Sequence, residues 1–567
     1  MKKSILSLSA AIALGGLGLA STAHAVVALG IEGTNLGETA PASDLVIHPA
    51  GTGHMLIGPY FTTQGNMGSL FNITNTDTVN GKVVKVRFRG ASGSDELLDF
   101  TVFLSPGDVW SGSLARNAAG RTVLSTDDKS CTLPEAGAPN QWPGVFKTLR
   151  LPKLSDESKV NALTREGYFE VYTMADVPAQ SKGPFGATPN PLYTAIKHKA
   201  GVAPCTAEVL DVLKSVQVLT TASDALAVGL DSPTGKLMGS WAVLNTEQIA
   251  VYGGEQTAIL ATSGQLGVNG VAPEGAGLIN YSPQMTGDVP YATTVAFTSD
   301  PLLIVPPNQF PGLGIIAQWW DLPDLSTPYI AGDDPQDQAE RLSNALAKEF
   351  IMNDYVATAA GAGGVAWMTD WVVSQPTRRY HAAVLYDSLS PLTNGSPVIL
   401  PDFFGDMGLW GLINPESPYT GRLVLNHNAG GYGPMACLRP ILTLWDREET
   451  GGWTGGFSPG EGQACGEVFT LQFGTSSVLQ AAVTAHSVTH PLPGVAGWAK
   501  LQMSQNTGTG SGSPTAIHPV PVVGFAATSI KAGNGNYGLT IPHRWTGAVV
   551  GGGGGNGGGG NGGDVGG

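Results

Sequence analysis

Residues 81 to 104 read GKVVKVRFRGASGSDELLDFTVFL. Between Lys82 and Arg89, Val84, Val86 and Phe88 alternate with Lys85, Arg87 and Arg89, the two-residue period of a strand with one buried and one wet face. After a Gly/Ser-containing turn, Leu98, Phe100, Val102 and Leu104 alternate again. With Asn80-Gly81 in front, the segment reads as consecutive antiparallel hairpins, and hence as a meander or part of a sandwich.

Moving outward, strand character returns in EGYFEVYTM (Glu166 to Met174), GKLMGSWAVLNT (Gly235 to Thr246), TGRLVLNH, RPILTLWD, EVFTLQF and GWAKLQM. Helices are few. In DDPQDQAERLSNALAKEFI, Asp334 caps the first turn, Pro335 suits the first helical position, and Leu342, Ala345 and Leu346 form an apolar stripe. TAEVLDVLKSV offers a second, shorter helix. The expected fold is mainly β: two antiparallel β-sandwich-like domains, separate or intertwined, with few short helices. A chain of 567 residues is too long for one core. The loosely punctuated TSGQLGVNGVAPEGAGL near 262 to 278 sets the boundary, giving domains at 26–265 and 266–548.

The chain opens MKKSILSLSAAIALGGLGLASTAHAVVALG, two lysines and an apolar run closed by Ala23-His24-Ala25. This pattern is a secretory signal peptide over residues 1–25. No later run of about 20 apolar residues follows, so no membrane span is expected in the mature chain. At the other end, residues 549–567 are glycine-rich and read as a flexible tail. The charge balance of 44 Asp+Glu against 29 Lys+Arg gives −15, which repels nucleic acid and anionic membranes and excludes both as partners. Charged residues make up only 13% of the chain while glycine reaches 79, a makeup typical of extracellular β-proteins. Cys131, Cys205, Cys437 and Cys465 are an even set suited to two disulfides. Three pairings are possible, and proximity favours Cys131 with Cys205 and Cys437 with Cys465. A zinc site is the poorer reading, because no Cys-x-x-Cys pair occurs and no His lies at ligand spacing.

Chemistry is harder to place. TDWVVSQPTRRYHAAVLYD, Thr369 to Asp387, gathers Asp370, Arg378, Arg379 and His381, but its alternation describes two strands bent at Pro376 with their charges on a solvated face. Gly-x-Ser-x-Gly and His-Glu-x-x-His are absent, and no catalytic residue is assigned. His486 and His490 are weak metal candidates that would share one side of a strand. The acids Asp127, Asp128, Asp333, Asp334, Asp337, Asp446, Glu448 and Glu449 suit loop calcium better than catalysis. A carboxylate pair beside Trp319, Trp320, Trp445 or Trp453 would instead fit a sugar. Asp446, Glu448, Glu449, Trp445 and Trp453 are therefore the candidate calcium or glycan contacts; otherwise no cofactor is expected.

The blocks YFTTQGNMGSLFNITNTDTVNGKVVKVRFRGASGSDELLDFTVFLSPGDVW, REGYFEVYTMADVP, GSWAVLN, TDWVVSQPTRRYH and LWDREE resemble, in this order, a group of exported proteins of Gram-negative bacteria labelled cell surface protein. The resemblance covers most of residues 55 to 500. It implies export, surface exposure and β-rich domains, and it transfers no catalytic residue. The leading expectation is a secreted or surface-exposed structural or adhesive protein without catalysis, which self-associates or binds cell-surface components. The second is a protein that binds or processes extracellular polysaccharide in a Trp-lined cleft. An outer-membrane barrel ranks third, disfavoured by the helix, the cysteines and the tail, and a periplasmic location is the alternative to the surface.

Overall fold

The computed structural model describes residues 28–31, 40–134, 144–264, 273–281, 323–358, 364–385, 424–448, 451–488, 495–503 and 519–546, with short breaks inside these spans, and short strands at 296–298, 315–317 and 398–400. The leader, the glycine-rich tail, Trp319, Trp320, Asp334, Glu449 and His490 lie outside the described residues.

The chain is mainly β and antiparallel, with sandwich-like packing. A seven-stranded sheet runs Asp44–Ile47, Thr257–Thr262, Met55–Thr62, Glu166–Val177, Gly81–Gly90, Glu96–Leu104 and Cys131–Leu133 in spatial order. A five-stranded sheet runs Ala250–Glu255, Leu237–Asn245, Met67–Asn75, Val109–Arg116 and Thr122–Ser125. Their inner faces meet in an aromatic core. Phe71 contacts Phe88, Trp110 and Phe169 at centroid separations of 5.3, 5.4 and 5.1 Å, and Phe61 and Phe146 extend the cluster. Tilted and edge contacts of this kind are the favoured aromatic geometries.

An eleven-stranded sheet is built later in the chain from strands between Phe350 and Thr546. Its central strand, Val365–Ser374, is buried on both sides from Thr369 onward. Trp371 and Val373 join a second core with Tyr355, Leu444, Phe469 and Leu501, while Val372 joins the first core with Phe525 and Ala527. Trp241 of the five-stranded sheet stacks on Phe525 at 4.4 Å. One hydrophobic core therefore includes strands from both ends of the chain.

The Pro335–Leu346 helix forms with proline at its first position and Leu342 and Leu346 fully buried. Ala207–Ser215 is helical as well. Cys131 pairs with Cys205 and Cys437 with Cys465, the latter directly opposite each other on antiparallel strands. Both bridges require an oxidising compartment, so the folded chain belongs outside the cytoplasm. Among the described residues no helix is long and apolar enough to cross a membrane.

Two local expectations are corrected. The Gly81–Gly90 strand has no wet face: every residue is buried. In TDWVVSQPTRRYH the strand ends at Ser374 and Arg378–His381 is a 3-10 turn, closed by Arg378 N donating to Gln375 O and Tyr380 N to Thr377 O. Asp370 and Arg378 are fully buried rather than solvated.

Candidate functional site

The outer face of the seven-stranded sheet carries the densest group of ionisable side chains described. Strand register places Arg87 between Asp99 and Glu170, and Arg89 between Glu96 and Tyr168. A basic stripe thus lies between two strands that supply acids, the cross-strand pairing that stabilises sheets. The Arg89 guanidinium donates Nε to Glu170 Oε1 at 3.0 Å and Nη2 to Asp324 Oδ2 at 3.1 Å. Arg87 lies 3.3 Å from Glu96 and 3.6 Å from Asp99, and Lys85 donates to Asp99 at 2.9 Å.

Later segments cover this face. Asp324 arrives in a turn held by its own carboxylate, which accepts from Ser326 N and Oγ. Tyr168 donates to Pro376 O at 3.0 Å, Tyr172 to Thr327 O at 3.2 Å, and Ser94 to Glu467. Arg378 donates to Gln375 Oε1 and to the carbonyls of Gly466 and Ala436. Two further acids pin the segment from Ser477 to Val483: Asp370 Oδ2 accepts from Ser477 Oγ and Leu479 N, and Glu166 Oε1 from Ala482 N and Val483 N.

Burial dominates the electrostatics. It raises Glu170, with the Arg89 charge opposing, and it raises Glu166 against the N–H groups of Ala482 and Val483. Burial also pushes Asp370 up to about 6 against the hydrogen bond from Ser477. Perturbed acids can mark catalytic sites, but structural ion networks perturb them too. Here Glu170 and Asp324 are occupied by Arg89, and Glu166 and Asp370 by backbone and hydroxyl donors. The two described clefts, of about 460 and 510 Å³, are lined by none of these residues. A general acid or base must reach its substrate, so this arrangement acts as a polar clamp between early and late parts of the chain.

The residues singled out from sequence are dispersed. Trp445 pairs across strands with Trp498, the indoles stacked at 4.1 Å and 5°. Lys500 Nζ on the same face lies 6.0 Å from the Trp445 ring and 4.6 Å from that of Phe350. Trp453 is opposite Leu444 in the register. Asp446 Oδ1 accepts from Glu448 N in the following turn, so the Asp446 carboxylate acts locally on the backbone. His486 is buried with Nε2 accepting from Cys465 N. Asp333 holds Arg341 in a forked contact at 2.7 and 3.2 Å. Asp128 accepts from Ser130, and Asp127 is exposed at the rim of a cleft. Among the described residues no group of three or more His, Cys, Asp or Glu side chains is placed to hold a metal ion.

Sequence reasoning missed Arg87, Arg89, Glu170, Asp324 and Glu467. A signal for part of the set existed: Arg87 and Arg89 match Glu96 and Asp99 in the next strand, and Arg87 matches Glu170 in the strand on the other side. Compared with protein-family models, curated proteins and solved structures, the chain matches none.

Proposed function

We propose that the chain is an exported, cell-surface-exposed structural or adhesive protein without catalytic activity. The observation that carries this reading is the clamp itself. Its acids are sealed inside and engaged by Arg89 or by backbone and hydroxyl donors, an arrangement that fixes how the two halves of the chain sit, and the acids that do line a described cleft, Asp108, Asp127 and Asp128, stand apart from it. Two disulfides add resistance to unfolding outside the cell. The test is electron cryotomography of producing cells with and without the chain: a layer or fibre lost on deletion is expected, and an unchanged envelope would overturn the reading.

A second reading, binding of extracellular polysaccharide, draws on the ladder of Trp498, Trp445 and Lys500. Trp498 is 39% exposed, and an indole face with an adjacent ammonium suits an acidic sugar ring. Retention on acidic polysaccharide that disappears in Trp498→Ala would favour it, and identical elution of the two proteins would reject it.

A further inference from the structure

The outer face of the five-stranded sheet departs from the usual solvated side of an antiparallel sheet, where polar and charged residues alternate outward. Within its five strands only Arg116 and Glu255 are charged, and each is the last residue of its strand. The register sorts the outward residues into rows: Met238, Thr74 and Val109; Ser240, Asn72 and Ser111; Ala242, Leu70 and Ser113. Leu70, Val109, Met238 and Val251 are 45%, 49%, 44% and 50% exposed. A shallow cleft of about 460 Å³ runs along the middle row.

Polar groups on this face are already paired within it. Asn72 Nδ2 donates to Ser240 Oγ at 2.7 Å, and its Oδ1 accepts from Ser240 N at 3.0 Å. Thr126 Oγ1 donates to Ser111 O at 2.6 Å, and Gln256 Nε2 to Asn72 O at 2.8 Å. Covering such groups costs little, because the penalty falls on polar atoms left without partners. A sugar would find few free donors or acceptors among these paired groups.

We propose that this face is the contact between two copies of the chain, packed sheet on sheet about a twofold axis. Charge and size both select a second copy. The chain carries −15 overall, so copies repel through most of their surface and least through a sheet whose charges, Arg116, Glu255 and the exposed Asp127 just past the edge strand, all lie at its margins. The size suits a weak contact: strands of 6, 9, 9, 8 and 4 residues, about 4.8 Å apart at ~3.3 Å per residue, present on the order of 570 Å² per copy. The total, about 1,100 Å², lies just below standard specific interfaces and in the range of transient ones. The inference rests on the structural reading above and names the surface through which assembly proceeds.

The test is sedimentation velocity of the mature, disulfide-bonded protein and of Leu70→Lys and Ser111→Glu, two exposed positions where a charge leaves the core untouched. Wild type is expected to dimerise with a dissociation constant between about 1 µM and 1 mM, more tightly as salt screens the net charge. Either variant, with unchanged thermal unfolding, is expected to weaken the dimer at least tenfold. Wild type monomeric up to about 1 mM, as expected if another occupant uses the face, would overturn the proposal. So would variants that associate as wild type does. Loss of the envelope layer on deletion combined with undisturbed association of the variants rejects this surface alone. Charge-sensitive association with an unchanged envelope rejects the structural role alone.

Discussion

Replacing Arg89 by Met tests whether the buried clamp holds the fold. Arg89 is fully buried, its fork engages Glu170 at 3.0 and 3.4 Å, and its Nη2 reaches Asp324 at 3.1 Å. Methionine fills most of the side-chain volume but leaves Glu170 without its forked partner and Asp324 with only Arg87, 3.9 Å away. Removing one member of a buried ion pair costs about 3–5 kcal/mol, most of it the penalty of the uncompensated charge. Equilibrium unfolding in guanidinium with both disulfides intact, followed by tryptophan fluorescence, should show that loss at pH 7. The deficit should shrink on acidification. Burial already raises Glu170, and an acid whose folded pKa lies above its unfolded value favours the fold below the unfolded pKa and loses that contribution as pH rises. The triple variant Arg89→Met, Glu170→Leu and Asp324→Asn removes the stranded charges and should recover most of the loss, since apolar replacement of a whole buried set is often neutral or better. A cost under about 1 kcal/mol for Arg89→Met, or additive costs for the three changes, would refute the reasoning.

Other expectations follow from the same geometry. Asp370 stands at about 6 because of burial, against about 3.9 unfolded, so its contribution is full below about pH 4 and is lost as pH rises through 6. Asp370→Asn should therefore gain on wild type across that window by up to ~3 kcal/mol, read from unfolding at each pH. His543 has the opposite sign: burial lowers it to about 4, so its contribution is full above about 6.5 and is lost as pH falls. His543→Gln should gain on wild type as the pH drops from 6.5 to 4. At Gly167 a Cβ would meet the carbonyl oxygen of Arg89 and the Phe61 ring. Gly167→Ala should then cost about 1–3 kcal/mol, measured in the same assay, because the backbone cannot step aside. Replacing both Cys437 and Cys465 by Ser opens a link across 28 residues and should lower stability by about 3–4 kcal/mol on the loop-entropy account, with Cys131–Cys205 still formed.

The strands of the first sandwich were legible because Val84, Val86 and Phe88 alternate cleanly and face the aromatic core. The fate of Lys85, Arg87 and Arg89 was not, because alternation reports that two faces differ and says nothing of what covers the polar one. Asp324 is more than 200 positions from Arg89, a separation of 235, and no local pattern announces such a partner. The 3-10 turn at Arg378–His381 was misread as a strand because Tyr380, Ala382 and Val384 keep the two-residue period, while the turn after Pro376 redirects the chain. The cysteine pairs followed from proximity. Trp445 was visible as a candidate, whereas its stack on Trp498 depends on the register between strands separated by 53 positions. The quiet outer face of the five-stranded sheet was hidden for the same reason: its rows draw on Asn72, Ser111 and Ser240, which only the sheet order brings together.

The central claim is surface exposure of a structural protein, and protease shaving of intact producing cells tests it most directly. Released peptides and the culture medium are analysed by mass spectrometry, with a periplasmic protein as the lysis control. The account predicts peptides from both halves of the chain while the control stays intact. A chain shielded until the outer membrane is opened would contradict it.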